Sequence, residues 1–213
     1  MPAATAVVLD CDGTLVVRDR PYDRLLRDAA AAAGLPEPAR EAFAAAYDDA
    51  FFEAFDSFAD DPVREGVVAG LDDVPESARS AVDPDALAAA VRDHDVAATE
   101  PRSGARAAVE RLAAAGPVGV LTNGEADQQR RKLRRHGLCD PLDAYVPSYE
   151  VGAHKPSPAT FAAAAERLPA RRHVYVGDDP EADVEGARAA GWDAVHVRED
   201  DDVRDRLAGA GLL

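Results

Sequence analysis

Asp10 and Asp12 stand two residues apart in VVLDCDGTLV, directly after an apolar run. In an extended chain both point to one side, and Cys11 points to the other. Two carboxylates about 4 Å apart repel by roughly 1 kcal/mol in water and roughly 4 kcal/mol at an intermediate dielectric. More acids follow in VGDD, where Asp178 and Asp179 close a second apolar run, with Asp183 shortly after. Converging carboxylates of this kind call for a cation, and oxygen-only donors suit Mg²⁺. Thr122 and Asn123, in VLTNG, can donate hydrogen bonds. Lys155, in the loop GAHKPSP, supplies a positive point charge. Acids, one metal, one hydroxyl and one lysine are what phosphoryl transfer through an aspartyl-phosphate requires. Asp10 would attack phosphorus. Asp12 would protonate the leaving group and then activate water, while Mg²⁺, Lys155 and Thr122 stabilise the transferring oxygens.

Those residues need strands to present them. The pattern predicts a buried strand over Thr5–Asp10, further strands over Val118–Leu121, Ala144–Pro147, His173–Val176 and Ala194–Val197, and helices between them. The helices are read at Arg102–Ala115, Glu125–His136, Pro158–Leu168 and Glu181–Ala190, with a short acidic one over Asp201–Ala210. Alternating strand and helix implies a Rossmann-like, doubly wound α/β core with a mostly parallel sheet. Ligands bind beyond the carboxyl ends of such strands, where the acids fall. Between residues 17 and 99 only helices are expected, over Tyr22–Ala33, Glu37–Ser57, Val63–Leu71 and Asp85–Ala97. The reading is therefore a discontinuous core, 1–16 with 100–213, interrupted by a helical cap, 17–99. Phe51, Phe52, Phe55 and Phe58 are expected to form the core of that cap.

The order of these segments resembles the haloacid dehalogenase superfamily of hydrolases with a helical cap. DCDGT is similar to its first motif, DxDGT. VLTNG is similar to the second, HKPSP to the third, and VGDDPEADVEGARAAG to the fourth, GDxxxxD. Together they span the core. The resemblance implies Asp10 as nucleophile and metal ligand, and Asp12 as acid/base and metal ligand through its main-chain carbonyl. It implies phosphoryl binding by Thr122 and Lys155, a direct metal ligand in Asp178, and support from Asp183. Asp179 takes a less defined supporting place. The implied activity is Mg²⁺-dependent hydrolysis of a small phosphate monoester. A sugar-phosphate mutase would keep every motif. A 2-haloacid dehalogenase would not need Asp12, Asp178 and Asp183. A phospho-accepting signalling module carries its acceptor mid-chain rather than on the first strand.

Composition narrows the partners. Asp and Glu number 40 against 24 Lys and Arg, a net charge of −16, so nucleic acid and anionic membrane are unsuited. Such charge is best tolerated in concentrated salt, which points to a salt-adapted cytoplasmic enzyme acting on a small phosphorylated metabolite, as monomer or homodimer. Cys11 and Cys139 have no metal or redox spacing, and Cys11 reads as a packing residue. The lysines are Lys132 and Lys155; every other side chain of permanent positive charge is arginine. Lys155 is expected in the site and Lys132 on the surface. Arg18, Arg20 and Tyr22, near the first hinge, are candidates for contact with a leaving group.

Overall fold

A computed structural model describes residues 3–213. They fall into two compact units: the chain up to Val17 together with Glu100–Leu213, and Arg18–Thr99. In chain order, β1 (Ala3–Leu9) is followed by β2 (Val16–Arg18) and the helices α1 (Tyr22–Ala32), α2 (Glu37–Asp56), α3 (Pro62–Asp72), α4 (Glu76–Arg79) and α5 (Pro84–Ala97). Then come β3 (Thr99–Pro101), α6 (Ala105–Ala115), β4 (Val118–Thr122), α7 (Ala126–Arg135), β5 (Ala144–Pro147), α8 (Ser148–Val151) and α9 (Pro158–Arg167). The chain closes with β6 (Ala170–Gly177), a π-helical turn over Pro180–Glu185, α10 (Gly186–Ala189), β7 (Asp193–His196) and α11 (Val203–Gly209).

The sheet of the first unit is parallel throughout, in the order β5-β4-β1-β6-β7. β1 lies at its centre, so both faces of the strand are covered and the run reads as continuously apolar. Val7 and Leu9 pack with Val120, Val174 and Val176 on one face. Ala6 and Val8 pack with Leu121, Phe161 and Tyr175 on the other. Leu9 pairs with Val120 on one side and with Val176 on the other. That register delivers Asp10, Thr122 and Asp178 to the same sheet edge.

The second unit is built on α1, α2, α3 and α5, and its core holds Leu26, Phe43, Tyr47, Val67, Leu87 and Val91. Helix starts follow local chemistry. Asp61 accepts from the Arg64 amide and Asp83 from the Asp85 amide, each with proline at the first helical position. Gly66 and Gly70 let α3 approach α2, since a Cβ would lie 2.8 Å from Tyr47 and 2.7 Å from Phe43.

Several expectations are corrected. Short strands β2 and β3 pair where the chain leaves and returns, and α4 was not foreseen. The predicted Glu181–Ala190 helix is a π turn followed by one α turn. The phenylalanine stripe does not form the helical core as a whole. α2 turns Phe43 and Tyr47 inward, only Phe51 follows them against the core, and Phe52 is 57% exposed. With about 100° between successive helix positions, residues 52 and 55 rotate off the buried row. Phe52 instead meets Phe51 edge-on and Phe55 stacks on it, at 5.2 and 5.7 Å between centroids.

Candidate active site

At the carboxyl edge of the sheet a cleft is lined by Asp10, Asp12, Thr122, Asn123, Lys155, Asp178, Asp179 and Asp183. Its centre is a buried ammonium. Lys155 Nζ donates to Asp10 Oδ1 at 2.7 Å, to Asp183 Oδ1 at 2.6 Å and to the Tyr175 hydroxyl at 2.8 Å. All three of its protons therefore have acceptors. Tyr175 in turn donates to the Leu121 carbonyl at 2.7 Å. The loop that brings Lys155 in is pinned by Asn123, which accepts from the Lys155 amide at 2.8 Å and donates to the Lys155 carbonyl at 3.2 Å. Thr122, fully buried, ends β4 on the cleft wall.

Asp10, Asp178 and Asp183 each place a carboxylate oxygen within 4.8 Å of the others. Burial, reinforced by Asp183 and opposed by Lys155, pushes the Asp10 carboxyl up to about 7. Burial also raises Asp178, against a hydrogen bond from Thr14 Oγ1 at 2.8 Å. For Lys155 burial pulls downward, but Asp10 and Asp183 outweigh it and hold the ammonium above its usual value. Three carboxylates facing one lysine leave the group short of positive charge. An all-oxygen donor set of this charge fits a hard divalent ion such as Mg²⁺, which Asp10 and Asp178 could ligate with Asp183 beside them. Gly13, at φ +83°, is part of that fit: a Cβ there would lie 2.2 Å from Asp178 Oδ2.

Asp12 does not join this carboxylate group. Its side chain turns toward α7, where Lys132 Nζ lies 3.0 and 3.1 Å from its two oxygens and Gln129 Nε2 lies 2.7 Å from Oδ2. Lys132 is thus not a surface residue; it is 2% exposed. The expectation failed because α7 carries arginines on its outer positions, and one lysine among them looks alike in sequence. Asp179 is exposed and caps the π turn, accepting from the amides of Glu181 and Ala182 at 2.8 Å. Asp183 is held by the Asp179 amide at 3.0 Å. Arg102, also unforeseen, is buried and donates to the carbonyls of Gly13, Arg198 and Glu199, tying the turn after Asp12 to the segment beyond β7. Cys11 is fully buried, and burial raises its thiol far above the usual value, so it is a packing group. Arg18, Arg20 and Tyr22 have partners within the helical unit: Asp95, Asp19 with Asp28, and Tyr47 respectively.

Fold and site together define an α/β protein with a buried carboxylate–lysine centre at the edge of a parallel sheet. The haloacid dehalogenase-like hydrolase family matches residues 4–191, and the chain belongs to that family. It is 38% identical over 100 residues to a glyceraldehyde 3-phosphate phosphatase of Methanopyrus kandleri, covering 41% of this chain and 43% of that protein. It is 43% identical over 82 residues to a phosphoserine phosphatase of Thermus thermophilus, covering 38% and 33%. A ribulose-1,5-bisphosphate 5-phosphatase of Halopiger xanaduensis is 40% identical over 80 residues, covering 37% and 34%. These matches span less than half the length of the curated relatives. Among solved structures, a 2-haloacid dehalogenase of Pseudomonas syringae superposes with a TM-score of 0.67 at 27% identity, covering 91% of this chain and 86% of that one. The hydrolase YfnB of Bacillus subtilis, at 21% identity, shares the fold with a TM-score of 0.67 over 95% and 92% of the two chains. Among the described residues no helix is long and apolar enough to cross a membrane.

Proposed function

We propose that this hydrolase cleaves a small phosphate monoester through a phosphorylated Asp10, with Mg²⁺ as cofactor. The observation that carries the reading is the Lys155 ammonium, bonded to both Asp10 and Asp183 beside Asp178. A carboxylate held this way is aimed and kept from rotating, as an attacking nucleophile must be. In the first step an Asp10 oxygen bonds to phosphorus as the ester oxygen leaves, and Asp12 gives that oxygen its proton. In the second, Asp12 takes a proton from water as the water oxygen bonds to phosphorus, the bond to Asp10 breaks, and inorganic phosphate departs. Asn123 fixes the Lys155 loop, and Thr122 offers a hydroxyl to the phosphoryl oxygens. Asp10, Asp178 and the Asp12 carbonyl would hold Mg²⁺, which would supply positive charge to the transferring group. The named relatives act on small phosphate esters, which supports the substrate class. A dehalogenase reading leaves Asp178 without a task, whereas Asp183 would still pair with Lys155.

The test is release of inorganic phosphate from a panel of small phosphate esters in high KCl, with Mg²⁺ or with EDTA. Turnover that requires Mg²⁺ and disappears in Asp10→Asn, with the fold retained, is expected. Full activity in Asp10→Asn would remove the nucleophile assignment. Isomerised sugar phosphate without released phosphate would favour a mutase.

A further inference from the structure

Each lysine of this chain ends on one acid of the Asp10–Asp12 pair. Lys155 serves the nucleophile, as argued above. Lys132 reaches Asp12 from α7 and is among the largest fully buried side chains, although buried lysines are rare unless paired. Gln129, one turn earlier on the same helix face, is 6% exposed and donates both to Asp12 Oδ2 and to the Asn123 carbonyl, at 2.7 and 3.2 Å. It reaches them because position 124 is glycine; a Cβ there would lie 2.6 Å from its Nε2. Its other polar atom, Oε1, is buried with no hydrogen-bond partner among the described residues. An orphaned acceptor disfavours folding, so stability alone does not account for this amide. Between them the two side chains fix both Asp12 oxygens, while the Asp12 side chain is still 31% exposed to the cleft.

We propose that Lys132 and Gln129 are positioning residues that hold the Asp12 carboxylate in line with the leaving-group oxygen for proton transfer. The proposal rests on the phosphatase reading above. A slender buried ammonium stem can approach the Asp12 carboxylate from α7 and bridge its two oxygens. The amide then removes the remaining rotation by binding one of them. Without the pair, a part-exposed aspartate samples other rotamers, and proton transfer loses its geometry.

The experiment compares an alkyl ester, glycerol phosphate, with 4-nitrophenyl phosphate, whose leaving group needs no proton. Lys132→Met, Gln129→Met and Gln129→Glu are measured beside Asp12→Asn and Asp10→Asn, each checked by its melting temperature. Lys132→Met should lower kcat on glycerol phosphate by about 100-fold, the scale of a lost general acid. On 4-nitrophenyl phosphate it should give a burst of nitrophenolate, then slow turnover with a lowered KM, because hydrolysis of the phosphorylated enzyme becomes limiting. Gln129→Glu keeps the shape but faces Asp12 with a like charge, so it should be worse than Gln129→Met. A residue that only packs would shrink the burst and slow both esters alike, with KM unchanged. If Asp12→Asn shows the leaving-group pattern and folded Lys132→Met does not, the positioning role is wrong and the phosphatase reading stands. If Asp12→Asn lacks the pattern, or wild type releases no phosphate, that reading falls and the proposal with it.

Discussion

At Asp10, burial opposes the ionisation that the proposed nucleophilic role requires. The fold raises its pKa from 3.8 to about 7, yet a nucleophile must be ionised. Between those values the folded chain keeps a proton that the unfolded chain has lost. The contribution of this group to stability therefore falls as pH rises from 3.8 to about 7, and is level above that. Asp178 is raised in the same direction. Lys155, raised from 10.5, contributes stability at all lower pH and loses it only in alkali, outside this window. A divalent cation bound at Asp10 would displace its proton, so its stabilisation should grow with pH. The rise in melting temperature on adding Mg²⁺ should be larger near pH 8 than near pH 5.5, because binding then no longer competes with protonation. Equal increments would place the cation away from Asp10. The cleft lining by Asp10, Asp12, Thr122, Asn123, Lys155, Asp178 and Asp183 was legible in the sequence, since Asp10, Thr122 and Asp178 fall at the ends of apolar strands and the others in the segments that follow strands. Tyr175, Thr14 and Arg102 were not, because a hydroxyl or guanidinium that bonds across the sheet leaves no spacing signal. Lys132 was half legible. A lysine kept among arginines is informative at 155, and the same argument applies at 132.

The elements show where periodicity stops being a guide. Strand runs were readable because β1, β4 and β6 are buried on both faces. Helix ends were less so: α6 begins at Ala105, after Arg102 has turned inward to the Gly13 carbonyl. The segment after β6 is the sharpest case. Its apolar spacing suggests a plain helix, but Asp183 must face Lys155 while Asp179 caps the start, and a widened turn meets both demands. Gly177 permits this, since a Cβ there would lie 2.2 Å from Asp183 Oδ2. Asp179 should accordingly act through structure. Asp179→Ala removes the acceptor for two hydrogen bonds, from the Glu181 and Ala182 amides, and should lower stability by about 1 kcal/mol, while Asp179→Ser retains most of it. Chemical denaturation of the metal-free variants measures this directly. An Asp179→Ala variant of unchanged stability would show that the side-chain cap contributes nothing, and that the Asp179 amide and Lys155 suffice to position Asp183.

Over the whole molecule the negative charge is unevenly divided. Arg18–Thr99 holds 19 Asp and Glu against 8 Arg, so −11 of the net −16 falls on the helical unit. Its exposed ion pairs, such as Arg64–Asp85 and Arg79–Asp72, offset little of that, because solvent screens both partners and each pair must order two mobile side chains. Self-repulsion within the unit acts over about 10 Å at 0.1 M salt and about 3 Å at 1 M. The helical core is apolar but alanine-rich, with Ala29, Ala30, Ala39, Ala44 and Ala88 among its members, so each residue buries little area against this repulsion. The sheet unit carries less net charge on more residues and a core of valine and leucine. Salt should therefore stabilise the two units unequally. Amide exchange, followed at about 0.1 M and about 2 M KCl, should show protection rising far more across α1 to α5 than across β1, β4 and β6. A uniform rise would assign the effect to general exclusion of salt from the surface, not to charge. Protection that falls in the helical unit as salt is added would mean that its ion pairs outweigh its repulsion, and the salt-adapted reading of this composition would be lost.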